Sequence, residues 1–259
     1  MKIKNRLLAL CVALFTITAV SAQEYKVQVQ NTREGKLTLS EFSGDLPIEG
    51  YSGNEIIIEG NARKADNSER AKGLKPIYPG GTDNTGLGLS VEKNGNQVTI
   101  RCLLPITHSA GNYKIRVPDN FKVQVDNECG KGRKVSVRNV KNEVEIKNCH
   151  EVDVKGVSGP VVLSTISGDV NVVFTEIAKD KALSIASISG EIDITMPAKA
   201  GVTVEMKTMS GSIYTDFDFP ADDKGLKKIS AGSIKAALNG GGPELKITNI
   251  SGSIYLRKG

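Results

Sequence analysis

An all-β solenoid is the fold this sequence predicts, a β-helix-like stack of repeats about 20–22 residues long, and three observations carry that prediction. One phrase recurs five times: Ile166-Ser167-Gly168-Asp169-Val170, Ile188-Ser189-Gly190-Glu191-Ile192, Met209-Ser210-Gly211-Ser212-Ile213, Ser230-Ala231-Gly232-Ser233-Ile234 and Ile250-Ser251-Gly252-Ser253-Ile254. Its glycines step by 22, 21, 21 and 20 residues. After each glycine, apolar and mixed positions alternate with period two, the signature of a half-buried strand.

Aligned copies define the columns. Val170, Ile192, Ile213, Ile234 and Ile254 form the apolar one, followed by a mixed column of Asn171, Asp193, Tyr214, Lys235 and Tyr255. A second strand precedes each phrase, with Leu183 and Ile185, Val202 and Val204, and Leu245 and Ile247 alternating inward. The glycine between the two strands suits a bend where φ is positive or a side chain would not fit. No unit is large enough to bury its own apolar face; stacking at ~4.8 Å per rung buries a continuous core. Short strands at regular spacing also fit an antiparallel sandwich of hairpins, the rival reading.

Taken from its start, the chain opens with a secretion signal over residues 1–22. Lys2, Lys4 and Arg6 supply the charge, Leu7–Val20 the apolar run, and Val20-Ser21-Ala22 the small-residue cleavage site. The run is too short for a membrane anchor, and Cys11 lacks the preceding small residue that lipidation needs. The protein is therefore expected to be exported, to the periplasm, the outer-membrane surface or the medium, with no transmembrane segment in the mature chain. Of 34 Lys and Arg, three lie in the leader, leaving 31 against 29 acidic residues. A mature charge near +2 gives no basis for nucleic-acid binding.

Residues 23–259 read as a single repeat domain, although length alone would permit two. Tyr25–Gln30, Lys36–Ser40 and Glu55–Glu59 alternate like first rungs, with a phrase-like Phe42-Ser43-Gly44-Asp45-Leu46-Pro47-Ile48 among them. Pro47 suggests an edge, hence an end of the stack. Residues 62–88 interrupt the rhythm as a turn-rich loop insertion, of the length that is usually functional or disordered. Leu89–Val91, Val98–Leu103 and Tyr113–Val117 resume strands, with Gly95-Asn96 turning the first pair. From Phe121 strands follow at 8- and 9-residue spacing (Val144, Val152, Val161), two to a coil. Asn127, Asn139 and Asn148 sit at their turns, where Asn tolerates left-handed backbone. Residues 166–256 hold the clearest repeats. No sorting domain or barrel is expected after the last strand. A bare solenoid end is an aggregation hazard, so a capping segment, a partner chain or self-association through the ends is expected.

The candidate chemistry is sparse. Cys129 and Cys149 lie 20 residues apart, about one coil, so they stack either as a disulfide after export or as two buried thiols. With Cys102 they form no zinc site, since no CxxC or paired-histidine spacing accompanies them. His108 and His150 are the two histidines; a Cys149–His150 pair would have adjacent strand residues pointing apart. The Ser-Gly phrases lack the G-x-S-x-G of serine hydrolases and read as turn formers. Asp169 and Glu191 share a column and could form a carboxylate pair, although a bend favours solvated surface residues. Asp83 has neither EF-hand nor nonapeptide calcium spacing, and Gly240-Gly241-Gly242-Pro243 is followed by no helix that would make it a phosphate loop. No catalytic residue, metal or cofactor is predicted. The best candidate binding face is the mixed column Asn171, Asp193, Tyr214, Lys235 and Tyr255, suited to a glycan or protein partner, or else merely a solvated face.

The phased Ile-Ser-Gly-x-Ile phrases, the loop from Gly73-Leu74-Lys75-Pro76-Ile77-Tyr78-Pro79 to Gly86 and the ending Ser251-Gly252-Ser253-Ile254-Tyr255-Leu256 resemble DUF4097, a family of bacterial candidate adhesins, in particular exported Bacteroidetes members. The resemblance covers most of the chain from about Glu34 onward. It implies a right-handed, single-stranded β-helix-like solenoid in the cell envelope, and no catalytic residues. A non-enzymatic adhesin or binding scaffold is the expectation. The alternatives are a carbohydrate-active β-helix lyase or hydrolase and a periplasmic structural or stress-response component.

Overall fold

The computed structural model describes residues 23–60, 69–74, 77–104, 112–127, 129–130, 132–179, 181–219, 227–230 and 233–259. The leader, His108 and the Ala231-Gly232 centre of the fourth phrase lie outside the described residues. Apart from a 3-10 turn at Glu69–Ala71, the regular structure is all strand. The N-terminal third carries β1 (Gln23–Gln28), β2 (Lys36–Ser40), β3 (Gly44–Tyr51), β4 (Glu55–Gly60), β5 (Leu89–Asn94), β6 (Gln97–Cys102) and β7 (Tyr113–Pro118). The middle carries β8 (Lys122–Asp126), β9 (Gly132–Arg138), β10 (Val144–Lys147), β11 (Val152–Val157), β12 (Val161–Thr165), β13 (Val170–Phe174), β14 (Leu183–Ser189) and β15 (Ile192–Met196). Last come β16 (Val202–Ser210), β17 (Ile213–Thr215), β18 (Lys227–Ser230), β19 (Ser233–Leu238), β20 (Glu244–Ser251) and β21 (Ile254–Lys258).

They form two sheets. Sheet A runs β1-β4-β7-β3-β9-β11-β13-β15-β21-β17, and sheet B runs β18-β19-β16-β20-β14-β12-β10-β8-β2-β6-β5. Each coil gives one strand to B and the next to A. Corresponding strands pair in parallel and in register: Val135, Val152, Val170 and Ile192 line up in sheet A, and Val125, Ile146, Leu163 and Ile185 in sheet B. These ladders are buried between the sheets, where each side chain removed from water contributes roughly 1.5–3 kcal/mol. Parallel neighbours one coil apart exclude the antiparallel sandwich. The structure is a solenoid.

At both ends spatial order departs from chain order. The coil β2–β3 lies between β8–β9 and β6–β7, and the last coil, β20–β21, slots between β14–β15 and β16–β17. Antiparallel strands then extend the ends: β4 and β1 beyond β7, β5 beyond β6, and β19 and β18 beyond β16. Three expectations do not hold. Tyr25–Gln30 and Glu55–Glu59 belong to an antiparallel pair and are not rungs. The fourth phrase likewise opens no coil: it lies on a sheet B hairpin that sets Lys235 opposite Glu205. Pro47 is not at an end either, because β3 is flanked on both sides; it stands where pairing with β7 has not yet begun, so no ladder bond needs its missing N–H.

The turn-rich segment after Ile77 packs over the N-terminal end. Asn84 uses its side-chain amide as a surrogate strand, donating from Nδ2 to the Val91 carbonyl (2.8 Å) and accepting the Val91 N–H at Oδ1 (2.9 Å). Leu87 enters the core, and the Tyr113 hydroxyl donates to its carbonyl at 2.6 Å.

The corners explain the repeated phrase. Gly168, Gly190, Gly252 and Gly211 all have φ between 96° and 152°. A Cβ on Gly190 would collide with the Gly168 carbonyl, one on Gly252 with that of Gly190, and one on Gly211 with that of Gly252. Both the positive φ and the backbone contact demand glycine. Three residues earlier sits a buried polar side chain that bonds a corner carbonyl: Thr165 to His150 (2.8 Å), Ser187 to Ser189 (3.0 Å), Thr208 to Gly252 (3.0 Å) and Asn249 to Gly190 (2.8 Å). Asn148 and Asn127 extend this row, Asn148 donating to the Arg133 carbonyl and Asn127 accepting the Phe42 N–H. Of the three turn asparagines only Asn139 is left-handed (φ 57°); Asn127 and Asn148 are there to satisfy buried backbone.

Candidate functional site

Four of the five predicted face residues meet on the outer surface of sheet A. Strand pairing sets Asn171 beside Asp193, Asp193 beside Tyr255 and Tyr255 beside Tyr214. Lys235 is not among them: it lies on sheet B, bridging Glu244 (3.0 Å) and Glu205 (3.5 Å). Its removal and the intercalation of β21 turn two tyrosines that are far apart in chain order into neighbours.

The tyrosine rings stack at 5.2 Å between centroids with 13° between planes. The stack is held from the Tyr255 side. The Tyr255 hydroxyl donates to Glu191 Oε1 at 3.2 Å, and the Arg257 guanidinium lies 5.3 Å from its ring centroid. Arg257 Nε donates to both oxygens of Asp193, at 2.9 and 3.0 Å. Desolvation, then the Glu191 bond, raises the Tyr255 hydroxyl above the usual phenol pKa; the Asp193 bond raises Arg257 further still. Beyond Asn171 the column continues to Asp153, which is buried and takes a hydrogen bond from Asn171 (3.0 Å) and ion pairs from Arg138 (3.2 Å) and Lys155 (3.0 Å). The face thus carries two interlocked groups, Arg138 and Lys155 with Asp153 and Asn171, and Asp193 with Arg257, Tyr255 and Tyr214, set side by side by the pairing of Asn171 with Asp193. Beside the stacked pair lies a cavity of about 230 Å³ lined by Tyr214, Thr215, Asp216, Tyr255, Leu256 and Arg257. Arg257 and Asp216 went unread in the sequence, yet each follows a face tyrosine by two residues, the spacing that puts both on one side of a strand.

The remaining candidates have structural employment. Asp169 Oδ1 accepts the backbone N–H of Glu191 (2.9 Å) and braces the bend, while the Glu191 carboxylate accepts the Tyr255 hydroxyl, so the two carboxylates have separate partners. Asp83 Oδ1 accepts from the N–H and hydroxyl of Thr85 and the N–H of Gly86, and Oδ2 from the N–H of Gly88, all within 3.0 Å. Desolvation would raise its pKa, but these bonds outweigh it and hold the carboxyl below its ordinary value. Among the described residues no cluster of three or more His, Cys, Asp or Glu could hold a metal. Cys129 and Cys149 are joined in a disulfide with Cα atoms 5.3 Å apart. His150 is exposed. Cys102 is a buried free thiol whose pKa burial pushes up. The first residues of four of the phrases, Ile166, Ile188, Ile250 and Met209, form an exposed apolar row along one corner.

No helix among the described residues is long and apolar enough to cross a membrane. No curated protein matches the sequence. Among solved structures, the chain is similar to a candidate cell adhesion protein from Clostridium sporogenes at 13% identity and a TM-score of 0.43, covering 92% of this chain and 100% of that one. It is similar to a candidate adhesin from Bacteroides fragilis at 13% identity and a TM-score of 0.42, covering 93% and 98%. A candidate adhesin from Parabacteroides merdae follows at 8% identity and a TM-score of 0.28, covering 92% and 96%. Residues 16–257 match the model of the Toastrack DUF4097 family, and the chain belongs to that family.

Proposed function

We propose that this protein is an exported, non-enzymatic binding scaffold of the cell envelope that engages a partner through the outer face of sheet A. A row of two interlocked groups, Arg138 with Asp153 and Asn171 and, on the neighbouring strands, Asp193 with Arg257, Tyr255 and Tyr214, carries this reading. Its side chains are held in place before any ligand arrives, which lowers the ordering cost of binding. Asp169 is committed to a backbone amide, Glu191 to the Tyr255 hydroxyl and Asp193 to Arg257, so the chemistry on offer is recognition. The leader-like N-terminus and the disulfide support an oxidising destination.

Protease shaving of intact cells, followed by immunoblot against a periplasmic control, tests the location. Loss of the protein from unbroken cells supports a surface adhesin. Protection until the outer membrane is breached replaces that reading with a periplasmic scaffold. In either compartment, capture of an envelope component by the purified chain should weaken when Asp193 and Tyr255 are replaced by alanine, and unchanged capture would remove the face from the proposal.

A further inference from the structure

We infer that the β17 end of this face is a subsite for a neutral pyranose ring, a conclusion that rests on the scaffold reading and narrows it. The tyrosine stack has one free end. Tyr255 covers one face of Tyr214, whereas β17 is the last strand of sheet A and no strand lies beyond it among the described residues. Tyr214 is accordingly 52% exposed, the exposed aromatic of this face. A flat ligand that packs there continues a ladder already spaced for it, with Tyr255 and Arg257 fixing the ring from behind.

The cavity beside the ring decides the class of ligand. At about 230 Å³ it has room for a small ring. Its lining sets two tyrosines beside Thr215, Asp216 and Arg257, the combination that fixes a ligand bearing one apolar face and a rim of hydroxyls. A pyranose has that shape: axial C–H groups on a face, hydroxyls around the edge. Asp216 Oδ1 accepts the Lys258 backbone N–H at 2.8 Å, which leaves the carboxylate acceptor capacity for sugar hydroxyls. Charge excludes an acidic sugar. The cavity's one cation, Arg257, is already paired with Asp193, which leaves the Asp216 carboxylate as the charge an acidic ring would face. A carboxylated ring would meet uncompensated like charge.

The test is saturation-transfer NMR on the purified mature chain with methyl β-D-glucopyranoside, methyl β-D-galactopyranoside and, as the anionic control, methyl β-D-glucuronide. The expected result is transfer to ring C–H protons of at least one neutral glycoside and weaker transfer to the glucuronide. Tyr214→Ala should weaken binding by roughly tenfold, the scale of one lost aromatic contact. Tyr214→Phe should keep it, and Lys235→Ala, on the other sheet, should leave it unchanged. Since Tyr214 is exposed, Tyr214→Ala should unfold at the parent temperature; if it does not fold, Asp216→Asn takes its place with the same expected loss. No transfer from either neutral glycoside, equal binding by Tyr214→Ala, or preference for the glucuronide overturns the subsite. Capture of an envelope component that persists through any of those results leaves the scaffold standing while the subsite falls; loss of all capture removes both.

Discussion

The middle of the solenoid and its two ends are built by different rules. From β8 to β15 the chain winds coil after coil, and each strand pairs in parallel with the strand two places along the sequence. At each end one coil is laid down out of turn, and antiparallel strands extend both sheets at the N-terminal end and sheet B at the C-terminal end. The difference has a physical cause. A middle coil always has a neighbour on both sides, so the simplest winding satisfies every backbone group. A terminal coil presents an unpaired edge, which is an aggregation hazard unless covered. Antiparallel strands supply that cover at the N-terminal end and on sheet B at the C-terminal end, whereas among the described residues sheet A ends on β17. There the coil that returns behind β17 creates the tyrosine stack, so the out-of-turn winding also builds the candidate site.

The strongest way to break the comparison is at the intercalated corner. Gly252→Val should cost upwards of about 4 kcal/mol in urea unfolding, since it combines a positive φ with a collision against the Gly190 carbonyl. Gly95→Ala, also at positive φ but with open space around it, should cost only about 1 kcal/mol. Comparable losses would mean that backbone contact between glycines is not what the phrase encodes. In the middle, Ile194→Ala removes a fully buried ladder residue and should cost about 3 kcal/mol. Ile250→Ala, on the exposed row, should stay within about 0.5 kcal/mol.

The disulfide should stabilise the middle by about 3 kcal/mol, the scale for a closed loop of this length. Denaturation of the Cys129→Ser, Cys149→Ser double variant measures it, and a fall in midpoint without a change in slope places the effect on stability alone. A smaller effect than the disulfide's belongs to the N-terminal end. Because the folded carboxyl of Asp83 titrates below its ordinary value of 3.8, its contribution is fully present above that pH and is lost as pH falls through the folded value. Asp83→Asn should therefore cost about 1–2 kcal/mol at neutral pH and flatten the acid limb of the stability curve. An unaltered acid limb would show that the Asp83 turn contributes nothing to closing that end.

By itself the sequence determined the strands, their period, the inward residues and the need for glycine at each corner. These follow from local rules: alternation selects the buried face, and repetition at a fixed phase selects stacking. It also brought Cys129 and Cys149 to adjacent coils, since a spacing of 20 residues is one turn of the winding. It did not determine which copies are neighbours. Ser230-Ala231-Gly232-Ser233-Ile234 fits the phrase as well as the others, yet Lys235 ended on the opposite sheet, and Tyr255 moved next to Tyr214 in its stead. The alternation of β19 and of β21 is equally compatible with parallel and antiparallel partners, because period two reports which face is buried and not whose edge is beside it. Only the tertiary structure decided that the final strand turns back into the stack, pairs with both β15 and β17, and leaves Tyr214 with one open face.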